Sequence, residues 1–297
     1  MGQNRDFAAL EERFTARDTS RIAVLPIPYE RTSTWIKGAD KGPFALLEAS
    51  SALELYDIET DTEVYRRGIH TCPPLVADLS PESMAREVEK SVSELLDAGK
   101  FVVSIGGEHS VSIGAVKAHS SSVKDMCVLQ LDAHADLRDE YEGTRFNHAC
   151  VMARVTEFCP AVHVGIRGIC LEEKDKLEPE NVFFAKDVAG DSGWVDRVMD
   201  RLLPNVYVTI DLDVFDPSIM PSTGTPEPGG LTWYGVLALL HEVADRKNVV
   251  GFDCVELCPD RTNRAPDFTA AKLVYKFLSY IFAGRNGRKD NGGVQIR

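Results

Sequence analysis

Residues 126–136 read MCVLQLDAHAD, an apolar run that breaks into two carboxylates and an imidazole alternating with alanine. Met126 to Leu131 is the near-continuous apolar kind of strand that a parallel sheet buries on both faces. Asp132, His134 and Asp136 follow at intervals of two, and side chains two apart on an extended chain point the same way. Three polar groups therefore converge on one small volume, which is costly unless positive charge is brought to it.

Runs of the same type recur along the chain: RIAVLPIP (21–28), KFVVSIG (100–106), AVHVGIR (161–167), VYVTIDLDV (206–214) and NVVGFDCVEL (248–257). Helical patterns lie between them. After Ser80-Pro81, the residues Met84, Val88, Val92, Leu95 and Leu96 keep helical spacing up to Gly99. Thr232 can cap a helix carrying Val236, Leu239, Leu240 and Val243. A further helix is predicted over 268–282, with Leu273, Phe277 and Ile281 as its stripe and Gly284 as its stop. Strands alternating with helices predict an α/β fold built on a mostly parallel sheet. The expected unit is one domain over 1–297, with an N-terminal extension to about residue 20 and a mobile polar tail from about residue 284.

Composition excludes several classes. With 44% hydrophobic and 27% charged residues this is an ordinary globular chain, and no apolar run is long enough to span a membrane. A net charge of −13 argues against nucleic acid and suits a cationic partner. The seven cysteines are scattered without a CxxC pair, as expected of reduced thiols, and MGQNRDFAALEERF lacks the apolar stretch of a signal peptide. The expected location is cytoplasmic.

In parallel sheets ligands sit beyond the carboxyl ends of the strands. Here KFVVSIG runs into GEHS, MCVLQL into DAHAD, VYVTI into DLD, and NVVGFDCV into EL. A single Asp after a strand is usually a turn or cap residue. Two period-two motifs together are different, and they name six candidate ligands: His109, Asp132, His134, Asp136, Asp211 and Asp213. Four carboxylates and two imidazoles carry about −4, which two divalent ions would neutralise. The oxygen-rich, thiolate-free set favours Mn²⁺, with Ni, Co or Zn as alternatives. Two ions sharing a water would supply hydroxide at neutral pH, which is hydrolase chemistry.

GGEHS, LDAHADLRDEY, FNHACV, TIDLDVFDPS, TGTPEPGGL and GFDCVELCP, in that order, resemble the ureohydrolase family of dimanganese enzymes that includes arginase and agmatinase, with agmatinase the nearest likeness. The resemblance spans about 22–282. It implies a three-layer α/β/α arginase-like fold with a doubly wound sheet, and homo-oligomers, trimeric or hexameric. It implies that His109, Asp132, Asp136 and Asp211 hold one manganese. Asp132, His134, Asp211 and Asp213 would hold the other, with Asp132 and Asp211 bridging. Glu256 matches the glutamate that grips a guanidinium, and His148 the histidine assigned to proton transfer, beside Asp136 as the residue that carries the proton to the leaving amine. Where the family usually has Asp before the first histidine, this chain has Glu108; the extra methylene can shift a contact orienting His109, and activity is expected to survive.

The loop LRDEYEGTRFNH carries Asp139, Glu140 and Glu142, which would repel a carboxylate and accept an amine; Arg138 and Arg145 work the other way. Asp139 and Glu140 are therefore candidate substrate contacts. The expected reaction is agmatine to putrescine and urea, with N1-aminopropylagmatine, arginine or guanidinobutyrate as alternatives. A catalytically silent metal-binding paralogue is the reading from another class.

Overall fold

A computed structural model describes residues 6–287, with side chains through residue 283; the last helix continues through Gly284 to Gly287, which corrects the expected stop at Gly284, and the rest of the tail expected to be mobile lies outside the described residues. The strands are β1 (Ile22–Ile27), β2 (Ile69–Thr71), β3 (Phe101–Gly106), β4 (Met126–Leu131), β5 (Ala161–Ile166), β6 (Val182–Phe184), β7 (Asn205–Asp211) and β8 (Asn248–Val255). They form one eight-stranded sheet in the order β2-β1-β3-β8-β7-β4-β5-β6, and every pairing is parallel. The helices are α1 (Gly42–Ser50), α2 (Pro81–Asp97), α3 (Ser112–Ser122), α4 (Val151–Val155), α5 (Leu171–Lys174), α6 (Ala185–Val188), α7 (Trp194–Arg201), α8 (Trp233–Arg246) and α9 (Ala265–Gly287).

Strand residues alternate between two cores, as the pleat requires. On β7, Val206, Val208 and Ile210 face the core that also takes Leu46 of α1, Val198 of α7, Val236 of α8 and Leu273 of α9. Tyr207 faces the other core, with Met84 and Val88 of α2, Ala115 of α3 and Val151 of α4. These are the three layers of the expected fold. Ser80 caps α2 by accepting from Ser83 N–H at 3.3 Å, and Thr232 caps α8 by accepting from Gly235 N–H at 3.1 Å. Phe7 is buried and stacked against Tyr275 of α9, so this part of the expected N-terminal extension packs on the body of the fold.

The sheet order decides where the chemistry goes. The four strands that end in acids or histidines, β3, β8, β7 and β4, are consecutive neighbours at the centre of the sheet. Parallel pairing brings all four carboxyl ends to the same rim.

Candidate metal centre

Beyond β4 and β7 the chain does not remain extended, which corrects the period-two geometry. β4 ends at Leu131, and Asp136 sits in the left-handed region with φ of 51°. β7 ends at Asp211, and Leu212–Val214 is a 3-10 turn. Convergence is instead produced by carboxylates that fold their own backbone. Asp132 Oδ1 accepts from His134 N–H at 2.6 Å, and Asp211 Oδ1 accepts from Asp213 N–H at 2.9 Å. Asp213 Oδ1 accepts from Ala133 N–H at 3.0 Å and ties the two motifs together. In each of these carboxylates one oxygen is occupied by backbone and the other faces the cage, that of Asp132 also accepting from the Gln130 amide.

Six candidate ligands meet there. His109 Nδ1 lies 3.2 Å from Asp132 Oδ2, 3.0 Å from Asp136 Oδ2 and 3.5 Å from Asp211 Oδ2. His134 Nδ1 lies 2.9 Å from Asp213 Oδ2 and 3.7 Å from Asp132 Oδ1. Two ligand groups result, His109–Asp132–Asp211 and Asp132–His134–Asp213, and Asp132 belongs to both. Asp136 joins the first through His109.

The His109 ring is aimed from behind. Its Nε2 lies 2.9 Å from Thr209 Oγ1, whose hydroxyl donates to Asp253 Oδ1 at 2.7 Å. With the threonine proton committed to the carboxylate, Nε2–H donates to Thr209 and the lone pair is on Nδ1, inside the cage. Glu108 makes no such contact. The departure at this position bears on another loop, and Thr209 with Asp253 does the orienting. Gln130 steadies the other side, donating to Asp132 Oδ2 at 2.8 Å and to His134 O at 3.1 Å.

The electrostatics call for cations. Among the described residues the ionic partners of Asp132, Asp136, Asp211 and Asp213 are the two imidazoles, with no Lys or Arg. Burial and then the Asp213 and Asp132 charges push Asp211 well above the carboxylate range. Burial and then Asp132 push Asp136 up to about 7. Asp132 is fully buried too, yet hydrogen bonds from His109 and His134 hold it low. Burial opposes charge on His134, but Asp213 and Asp132 draw it up to about 12. A buried set of like charges straining toward protonation is the environment in which divalent ions replace protons, and the oxygen-and-imidazole donors fit them.

Glu256 directly follows β8 with φ of 65°, an uncommon conformation for glutamate that breaks the strand at the rim. Its Oε1 accepts from His109 N–H at 2.7 Å, and its Oε2 lies against Gly224, where a Cβ would sit 3.4 Å away. Burial, then Glu108, raise it well above its ordinary value. His148 opens the turn His148–Cys150, half-buried, with its ring 3.2 Å from Thr32 Oγ1. Burial lowers its pKa against the pull of Glu108. Asp139 points outward, its carboxylate 2.7 Å from Arg154 and 3.4 Å from Arg145, and Glu140 is exposed. Neither shares a hydrogen bond with the cage. Thr32, Gln130, Thr209 and Asp253 join the site without having been expected there. Gln130 and Thr209 do carry a signal, since each stands two residues before the first Asp of its motif.

Comparison with known proteins agrees in extent. A sequence model of the Arginase family matches residues 20–279. The chain is 41% identical over 280 residues to the N(1)-aminopropylagmatine ureohydrolase of Synechocystis, covering 91% of this chain and 92% of that one. It is 34% identical to the agmatinase of Pyrococcus horikoshii, covering 85% and 89%. The solved agmatine ureohydrolase of Thermoplasma volcanium superposes with a TM-score of 0.86 over 97% of both chains, at 29% identity.

Proposed function

This chain belongs to the arginase family, and from that premise we propose that it hydrolyses the guanidino group of N1-aminopropylagmatine to urea and an amine, with agmatine as the second substrate. The observation that carries the reading is Glu256: a buried carboxylate at the edge of a cage that needs cations, held by His109 N–H and left open beside Gly224. A guanidinium is always charged and matches a carboxylate in two parallel hydrogen bonds. The aminopropyl substrate comes first because the 41% identical relative bears that name; agmatine is favoured by the Pyrococcus and Thermoplasma relatives.

The six ligands are proposed to hold two Mn²⁺, one on His109, Asp132, Asp136 and Asp211 and one on Asp132, His134, Asp211 and Asp213. When bound, such a pair lowers the pKa of a water between its ions and supplies hydroxide at neutral pH. The protein does the rest. Glu256 holds the guanidinium with its carbon toward the cage. Asp136 Oδ2 carries the proton that the departing amine needs, and His148 exchanges protons with solvent. Asp139 is neutralised by Arg154, which leaves Glu140 and Glu142 as the acidic residues of that loop for a distal amine. Cytoplasmic location is proposed from the seven unpaired thiols, and a homotrimer or homohexamer from the family likeness, to be read by sedimentation.

The test is urea release from N1-aminopropylagmatine, agmatine, arginine and guanidinobutyrate, with Mn²⁺ and after chelation. Urea from the first two, abolished by chelation, is expected. Urea from none of the four would favour the silent metal-binding paralogue and end this reading.

A further inference from the structure

Glu108 is fully buried and precedes His109, yet none of its hydrogen bonds goes to the cage. Its Oε2 accepts from the backbone N–H groups of Arg31 at 2.7 Å, Thr32 at 2.6 Å and Ser33 at 3.1 Å. Its Oε1 accepts from the hydroxyls of Thr32 at 2.7 Å and Ser110 at 2.6 Å. A carboxylate only accepts, so the one hydroxyl proton of Thr32 is committed to Glu108. Both lone pairs of Thr32 Oγ1 then need donors. His148 supplies both, its backbone N–H at 2.9 Å and its ring Nδ1 at 3.2 Å.

Nδ1 can bond there only as N–H. The neutral ring therefore has its proton on Nδ1 and its lone pair on Nε2, for which no protein partner exists among the described residues. We propose that Glu108 and Thr32 are positioning residues for His148: the chain Glu108–Thr32–His148 fixes the ring and its tautomer, and leaves Nε2 as the atom that exchanges protons. The extra methylene at position 108 acquires a use here, letting one carboxylate reach the 31–33 backbone and two hydroxyls at once. This rests on the reading of His148 as the proton-handling residue.

Two variants probe the relay by different means. Thr32→Val removes the hydroxyl and keeps the shape. Glu108→Gln keeps the shape but offers an amide NH₂ to Thr32, which frees the threonine proton to donate to Nδ1 and drives the ring to the opposite tautomer. With agmatine and N1-aminopropylagmatine as probes, each variant is expected to lower kcat about tenfold with KM within about twofold, a part of what positioned proton transfer contributes. Thr32→Ser should restore most of kcat. In a His148→Ala background Thr32→Val should cost nothing further, because its effect passes through His148. Metal content, measured in every variant, should stay at that of the parent.

Additive losses in the double variant, or no rescue by serine, would overturn the relay. An independent arm uses ¹⁵N-histidine labelling of protein loaded with diamagnetic Zn²⁺, with His148→Asn for assignment. A neutral His148 protonated on Nδ1 is expected in the parent and lost in Thr32→Val; protonation on Nε2 in the parent would overturn the proposal. If neither guanidine releases urea the functional reading fails, while the ¹⁵N arm still decides the relay.

Discussion

Asp136 shows how a single residue can carry two demands. It sits at φ of 51°, its backbone carbonyl accepts from Met152 N–H at 2.9 Å at the start of α4, and its side chain turns back to His109. The left-handed region is uncommon for a residue with a Cβ, and aspartate enters it more readily than most. Asp136 brings its oxygen nearer to His109 Nδ1 than Asp132 or Asp211 does, and it is the proposed proton carrier, so it should be sensitive to loss of its titratable oxygen. Asp136→Asn is expected to lower kcat by about 10² to 10⁴, the range of positioned general acid–base groups, provided that metal analysis shows the ions retained. Near-normal urea release at full metal content would remove the proton role. The spacing of Asp132, His134 and Asp136 marked them as one group, but the extended chain it assumed is not the geometry that brings them together. Their partners were less legible: Thr209 is an ordinary strand residue until the fold sets Asp253 and His109 beside it, and Gln130 until its amide meets Asp132 and His134.

At the scale of elements, the strands with long apolar runs could be read from sequence because a buried parallel strand needs little but Val, Ile and Leu. β2 and β6 could not, since three residues at a sheet edge leave no pattern to count. Sheet order was equally hidden: nothing local says that β8 inserts between β3 and β7, although that insertion is what sets Glu256 beside His109. One glycine shows how tightly the rim is assembled. A Cβ on Gly107 would lie 2.1 Å from Tyr29 O and 2.9 Å from Tyr29 C, and both are backbone atoms with no side chain to swing aside. The segment after β1 would have to lift, and the hydrogen bonds that Glu108 receives from residues 31–33 would go with it. Gly107→Ala is expected to destabilise by about 1–3 kcal/mol, as overpacking does, and to lower kcat beyond what the lost stability explains. Gly143→Ala is the control, because a Cβ there meets nothing within 4 Å and the cost is confined to its φ of 80°. Equal effects of the two on turnover would refute the close approach as the cause.

For the whole molecule, the cage is a liability as well as a site. The sheet gathers Asp132, Asp136, Asp211, Asp213 and Glu256 at one rim, all of them buried, with two imidazoles for company. Placing that many carboxylates out of water is expensive unless cations or protons join them. Metal binding should therefore be coupled to folding of the whole chain, since the unfolded chain has no cage to bind with. At a free Mn²⁺ concentration about a hundredfold above Kd, each ion adds about 2.7 kcal/mol, and two raise Tm by roughly 10 °C for a chain of this size. Scanning calorimetry of chelated protein titrated with Mn²⁺ should show Tm flat below Kd and rising with the logarithm of free metal above it. Asp132→Ala gives the decisive comparison, because Asp132 lies beside both imidazoles and is shared by the two ligand groups. Its removal should abolish most of the rise for both ions together, whereas Asp213→Ala, a member of one group, should spare part of it. A Tm indifferent to chelation, or an Asp132→Ala protein stabilised by Mn²⁺ as strongly as the parent, would mean that the carboxylates are held by something other than metal.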